Sequence, residues 1–306
     1  MALFLFLLTS WSSLAVTCGL RQAHLSKGAG LIKQQVTGAS AMQVSGAEDP
    51  KGSSQDRLMR LLELFSGDSK SDWSVDEAAI ELGLSASHTY RYFRTLSGAG
   101  YISAFTPGRY VLGPAIIALD RKMRLGDPMI QAARLVMGDM LNAAPADSIA
   151  ILCRYFQEHV MCVHEEFTTR FKQDISYERG LPRPLYQGAA SKVILAHLPL
   201  RQVKPYYEGV TGEFERFGLG ANWAQVKQTL RSLRNESVVI TSGELGNSAA
   251  GISAAVFDDK RVIGSISIVI PVVDASPEVR TLLAPIVAKA GAEMTQKMTV
   301  LASSGS

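Results

Sequence analysis

The residues best suited to chemistry in this 306-residue chain fall in three places. The first is 85–94. Wound as a helix, it turns Thr89, Phe93 and Leu96 to one face and leaves Ala86, Ser87, His88, Tyr90, Arg91 and Arg94 on the other. That outer face carries two cations, no acid, and small or hydrogen-bonding groups near its start, where Ser85 stands as the cap. Such residue types reach base edges and phosphates from the major groove of double-stranded DNA. The competing reading is a small helical subdomain whose Arg91 and Arg94 are solvated surface charges. The second place is Gln187-Gly188-Ala189-Ala190, heading a helical stretch over 189–197, where free amides favour a carboxylate or another anion. The third is a strand-like run in which Cys162 and His164 stand two apart and so share a face, followed by Glu165 and Glu166, with Cys153 on a neighbouring run. That set could hold a metal, while its plainer reading is a core thiol and a satisfied imidazole. No G-x-S-x-G, H-E-x-x-H or phosphate-loop pattern occurs, so the sequence offers no catalytic set and calls for no cofactor.

Three helices and a hairpin must position the first of these places. In 55–65 (QDRLMRLLELF), Leu58, Leu61, Leu62 and Phe65 recur at i, i+3, i+4 and i+7, which makes a one-sided apolar stripe. Ser66-Gly67-Asp68 breaks it, and Ser74-Val75-Asp76-Glu77 is a capping box that opens a second helix over 75–82. Gly83 supplies the left-handed residue that ends this helix, and Ser85 caps the next one. So short a turn between two helices is a helix-turn-helix. Beyond Gly100, 101–105 and 109–112 are β-prone runs around Thr106-Pro107-Gly108, a wing that puts Arg109 near its tip, within reach of a phosphate. Charge follows the same division. Residues 54–84 hold 3 Lys or Arg against 7 Asp or Glu, and residues 85–126 hold 6 against 1, so the basic side is the one that would face a polyanion.

The rest of the chain reads as a second domain. Length allows two domains, and 47% hydrophobic with 19% charged residues excludes a disordered or fibrous class. The overall charge of +3 announces no partner by itself. Residues 114–124 (PAIIALDRKMR) begin with a proline and continue as an amphipathic linker helix through Ile116, Ile117, Leu119 and Met123, closed by Gly126-Asp127-Pro128. A further apolar helix covers 129–142. The period then changes to that of strands over 148–156 and 159–167, paired across Gln157-Glu158, and again over 262–271. Strands alternating with helices predict an α+β domain.

Cys18, Cys153 and Cys162, with no CxxC spacing, argue against a disulfide framework or a zinc finger, and make a reducing, cytoplasmic compartment the default. Residues 2–8 (ALFLFLL) have the length of a signal-peptide core, but no Lys or Arg precedes them and hydroxyl residues follow. Residues 28–51 are rich in Gly, Ala, Ser and Gln and have no period. The first 41 residues therefore read as an upstream start ahead of Met42 or as a dispensable extension, with an export or anchor signal as the rival.

Leu82-Gly83-Leu84-Ser85, Thr89-Tyr90-Arg91, Thr95-Leu96, Gly100-Tyr101-Ile102 and Tyr110-Val111-Leu112-Gly113 together resemble the IclR family of bacterial regulators. Pro184-Leu185-Tyr186 with Ser191-Lys192 and Ile194-Leu195-Ala196 is similar to that family's P-L-H-x(4)-G-K-A-x-L-A stretch. Glu244, 252–258 (ISAAVFD) and 266–268 (ISI) resemble its closing segment. Tyr186, Ser191 and Ala255 depart from the common His, Gly and Pro. The resemblance spans roughly 55–300 and implies an N-terminal winged helix-turn-helix, mainly α with a β-hairpin wing, and an α+β GAF-like effector-binding domain. The expected division is an extension over 1–53, a DNA-binding domain over 54–113, a linker helix over 114–127 and an effector domain over 128–302. It implies operator DNA and a small-molecule effector, an organic acid or an aromatic, as partners of a homodimer or homotetramer. It also implies a pocket lined by Ala189, Ala190, Gly251 and Ser267, although small residues at a helix start and inside strands also serve close packing. Two other readings stay open: a metal- or thiol-dependent enzyme on 129–300, and a membrane-tethered sensor.

Overall fold

The computed structural model describes residues 52–67, 70–168, 178–246 and 248–304. The expectations for 1–51 and for Asp68 lie outside the described residues. No described helix is long and apolar enough to cross a membrane.

The N-terminal domain follows its local signals closely. Helix α1 (Ser54–Leu64) is capped by Ser53, and α2 (Val75–Leu82) by the Ser74–Glu77 box, in which the Glu77 amide donates to Ser74 Oγ and the Ser74 amide to Glu77 Oε2. Gly83 closes α2 at φ +64°, which a side chain would strain. Helix α3 (Ala86–Gly98) follows, then the antiparallel pair β1 (Ile102–Thr106) and β2 (Arg109–Leu112). Leu61, Phe65, Trp73, Ala78, Phe93, Leu96 and Ile102 form the core. Trp73 binds this core to the wing: it exchanges two backbone hydrogen bonds with Tyr110 at 2.9 and 3.0 Å, and its indole donates to Leu64 O.

Helix α4 (Pro114–Gly126) leads to α5 (Pro128–Asn142), whose N-cap is Asp127. Although α4 has an apolar stripe, none of its residues is buried; Ile117, Leu119, Met123 and Leu125 are exposed.

The second domain is built on one six-stranded antiparallel sheet in the order β5-β4-β3-β8-β7-β6. Its strands are β3 (Ile149–Phe156), β4 (His159–Phe167), β5 (Pro182–Pro184), β6 (Val239–Ser242), β7 (Ala249–Asp258) and β8 (Arg261–Pro271). Gln157 and Glu158 both take positive φ between β3 and β4, the geometry of a two-residue hairpin turn. On one face lie α5 and the 28-residue α10 (Pro277–Ser304), where Met137, Met140, Val287 and Met294 meet Leu152, Ile252, Ile266 and Ile268. On the other lie α6 (Ala189–His197), α7 (Leu200–Gly209), α8 (Thr211–Arg216) and α9 (Trp223–Asn235), which bring Val193, Ile194, Tyr207, Phe214 and Leu230 into the core that contains Ile149, Ile151 and Cys153.

Candidate functional site

Helix α3 stands as its spacing requires. Thr89, Phe93 and Leu96 are buried, while Ser85, Ala86, Ser87, His88, Tyr90, Arg91 and Arg94 are exposed along one side. Ser85 Oγ accepts the His88 amide at 3.3 Å and lies 3.0 Å from His88 Nδ1, so the cap also orients the first ring of that face. Phe93 anchors the helix from below, edge-on to Tyr110 with ring centroids 4.9 Å apart.

Arg109 takes a place that its position beside the wing turn did not suggest. Its guanidinium folds back onto the domain. Nε and Nη2 grip the Asp72 carboxylate at 2.8 and 2.7 Å, and Nη1 binds Glu77 Oε2 at 2.7 Å. Lys70 adds a second cation 2.8 Å from the same Glu77 oxygen. Lys70, the Ser74 amide and Arg109 together hold the Glu77 carboxyl at about 2, and Arg109 also depresses Asp72. Arg109 thus clamps the wing to the start of α2, through partners 32 and 37 positions away in sequence that a local reading does not find.

The expected effector residues do come together. A Cβ added at Gly251 would stand 3.3 Å from Ala189 Cβ, so α6 begins directly over β7. Ser267 accepts a hydrogen bond from Ser253 at 2.7 Å, and Ser265 Oγ donates to Ala190 O at 3.1 Å. Ala189, Ala190, Ser253, Ser265 and Ser267 are all buried. Ser253 and Ser265 belong to this cluster and are not among the expected effector residues, although alternation along β7 and β8 puts them on the same face as Gly251 and Ser267.

The start of α6 already carries an anion, supplied by the chain itself. Glu244 Oε2 accepts the Gly188 amide at 2.8 Å, and Glu244 Oε1 binds Lys192 Nζ at 2.5 Å. Lys192 also donates to Phe217 O at 2.7 Å, and Gln187 Nε2 donates to Glu244 O at 2.5 Å. The Lys192 side chain is 8% exposed and that of Glu244 21%. Beside them Tyr186 stacks on Phe217 and Tyr206, and the Tyr206 hydroxyl accepts the Leu185 amide. Burial pushes both phenols above their ordinary range.

Cys162 and His164 do not share a face. A β-bulge between β3 and β4 breaks the alternation, so that Cys162 pairs with Cys153 while His164 pairs with Leu152. Cys153 and Cys162 belong to the α6-side core and Leu152 to the α5-side core, which puts the imidazole opposite the thiols. His164 Nε2 is 2.8 Å from Glu166 Oε1, and burial lowers its pKa. Burial raises the Cys153 thiol well above its ordinary value. Among the described residues no group of three or more His, Cys, Asp or Glu converges as metal ligands would.

Comparison with known proteins matches both domains. Residues 54–104 fit the profile of the IclR helix-turn-helix domain, and residues 128–295 that of the bacterial transcriptional regulator IclR C-terminal domain. The HTH-type transcriptional regulator KipR of Bacillus subtilis (strain 168) is 23% identical over 213 residues, 68% of this chain and 82% of that protein. Among solved structures, an IclR transcriptional regulator from Alicyclobacillus acidocaldarius is similar at TM-score 0.64 and 19% identity, over 80% of this chain and 98% of its own. An IclR homolog of Microbacterium hydrocarbonoxydans, complexed with 4-hydroxybenzoate, is similar at TM-score 0.59 and 16% identity, over 81% of this chain and 100% of its own. With its two profiles matched in order across most of its length, the chain belongs to the IclR family of transcriptional regulators, built from a DNA-binding helix-turn-helix and a ligand-binding C-terminal domain.

Proposed function

We propose that this regulator works in the cytoplasm as a homodimer or homotetramer, by binding alone and without catalysis. It reads operator DNA with Ser85, Ala86, Ser87, His88, Tyr90, Arg91 and Arg94, and its affinity is set by an organic-acid or aromatic effector held near Ala189, Ala190, Gly251 and Ser267. The observation that carries the reading is the exposed, acid-free α3 face held outward by the buried Thr89, Phe93 and Leu96. Arg109, occupied by Asp72 and Glu77, supports that face by holding the wing.

The test is a selection of bound fragments from genomic DNA, followed by titration of the recovered site. Arg91→Ala weakens specific binding by about 1–3 kcal/mol if it reads a base. Arg94→Ala, if it meets phosphate, weakens all sequences alike and flattens the salt dependence. Parent-like binding by both variants would remove α3 as the reading helix. For the second domain the first probe is 4-hydroxybenzoate, the ligand of the Microbacterium relative. Ala189→Leu fills the contact with Gly251, so it abolishes the response to any bound acid while DNA binding persists; a variant that still responds rejects this placement.

A further inference from the structure

Helix α4 joins the two domains, yet no buried residue fixes its direction. Its first turn is welded to the helix-turn-helix domain: the Gly113 amide donates to Tyr101 O at 2.7 Å and the Ala115 amide to Gly100 O at 3.0 Å. A Cβ at Gly113 would stand 2.2 Å from Gly100 O, so the two backbones meet with no room between them. Wherever α4 points, the wing and α3 go with it.

Two ion pairs tie α4 to the effector domain. At its foot Asp127, which caps α5 through the Met129 and Ile130 amides, binds Arg154 of β3 at 2.9 Å. Near its middle Asp120 binds Arg179, which lies ahead of β5 and is 20% exposed. Arg179 is itself fixed to β4: its Nε donates to Val163 O at 2.8 Å, and the next amide, Gly180, donates to Cys162 O at 3.0 Å. The Cys162 side chain belongs to the same core as Ala189 and Ala190. A strut therefore runs from β4, whose Cys162 shares a core with the α6 start, to the middle of the linker helix.

We propose that Arg179 is the residue through which the effector domain aims the DNA-binding domain, with the Asp127–Arg154 pair as the pivot. One anchor lets a rod swing, and two anchors fix its direction. At 1.5 Å per residue the strut acts about 10 Å from the pivot and Gly113 lies about 21 Å from it, so a shift of β4 is roughly doubled at the wing. The remaining carboxylate pair on α4, Asp120 with Arg124 at 3.4 Å, is internal to the helix and fixes no direction. The proposal borrows from the proposed function only the coupling of the two domains, and its test needs neither operator nor effector.

The experiment uses the full chain with Cys18→Ser and nitroxide labels at Ile117→Cys and Val273→Cys, both native positions being exposed, diluted with unlabelled chain so that distances within one chain dominate. The parent gives one narrow distance distribution. Arg179→Ala and Asp120→Ala each broaden it, and tryptic cleavage at Arg121, Lys122 and Arg124 rises about tenfold as α4 loses its second anchor. The double variant Asp120→Ala with Arg179→Ala is no broader and no faster cut than the single variants, as two members of one contact require and independent losses of stability would not give. Asp120 lies on a helix with nothing buried, so its variant folds even if the Arg179 variant does not. Narrow distributions in the Asp120→Ala chain, or a double variant broader than either single variant with unchanged helical content, overturn the proposal.

Discussion

Removing one member of the Lys192–Glu244 pair has an effect whose size follows from its surroundings. Glu244→Ala leaves the ammonium of a side chain that is 8% exposed with Phe217 O as its remaining bonded partner and takes away the acceptor of the Gly188 amide. Breaking a fully buried pair costs roughly 3–5 kcal/mol. The Glu244 side chain is 21% exposed and water can replace part of the loss, so the expected destabilisation is about 2–4 kcal/mol. Lys192→Met costs less, about 1–3 kcal/mol, because the abandoned carboxylate keeps the Gly188 amide and belongs to the more exposed side chain. The double variant Lys192→Met with Glu244→Leu leaves no unpaired charge and falls within about 2 kcal/mol of the parent. Urea unfolding followed by circular dichroism measures all four chains, and a loss of this size moves the midpoint by about 1 M. The coupling in the resulting cycle is then about 1 kcal/mol or more. Additive single effects, or a Glu244→Ala chain within about 0.5 kcal/mol of the parent, would refute the argument that the start of α6 depends on this carboxylate.

Acid offers a second test. Glu77 titrates at about 2 in the folded chain against an ordinary 4.5, so its contribution is full above pH 4.5 and is lost as pH falls from 4.5 toward about 2. The melting temperature of the helix-turn-helix domain therefore drops through that window. Glu77→Gln makes the drop shallower, and equal slopes in parent and variant would contradict the assignment. Gly264→Ala places a Cβ 2.1 Å from Cys153 O and 2.9 Å from Met129 Cε, so it prises β8 from β3 and costs at least about 2 kcal/mol by thermal unfolding. An unchanged melting temperature there would show that the strands part freely.

What the sequence determined by itself is what short-range physics decides. The Ser74–Glu77 box and Gly83 set both ends of α2, and Ser85 with the Thr89, Phe93 and Leu96 stripe set the start and the inner face of α3. Pro107-Gly108 turned the wing, and α6 began at Ala189 as expected. Each of these rests on bonds three or four residues apart, or on a period of one helix turn. By contrast, nothing local marks β7 as a strand, and only the family resemblance puts Gly251 in one, because AAGISAAVFD carries little β-propensity and owes its place to β6 and β8 on either side. Helix α10 contains Pro285 and Gly291, poor helix residues read locally. The packed fold needs that glycine, since a Cβ there would stand 2.6 Å from Ala254 Cβ. Tertiary structure alone also gave Arg109 to Asp72 and Glu77, put His164 across the sheet from Cys162 through a bulge, and brought Glu244 to Lys192 across 52 residues. A charged side chain is neutralised by whatever the fold delivers to it, and a strand keeps its alternation only while its neighbour stays in register, so neither outcome is written in the local sequence.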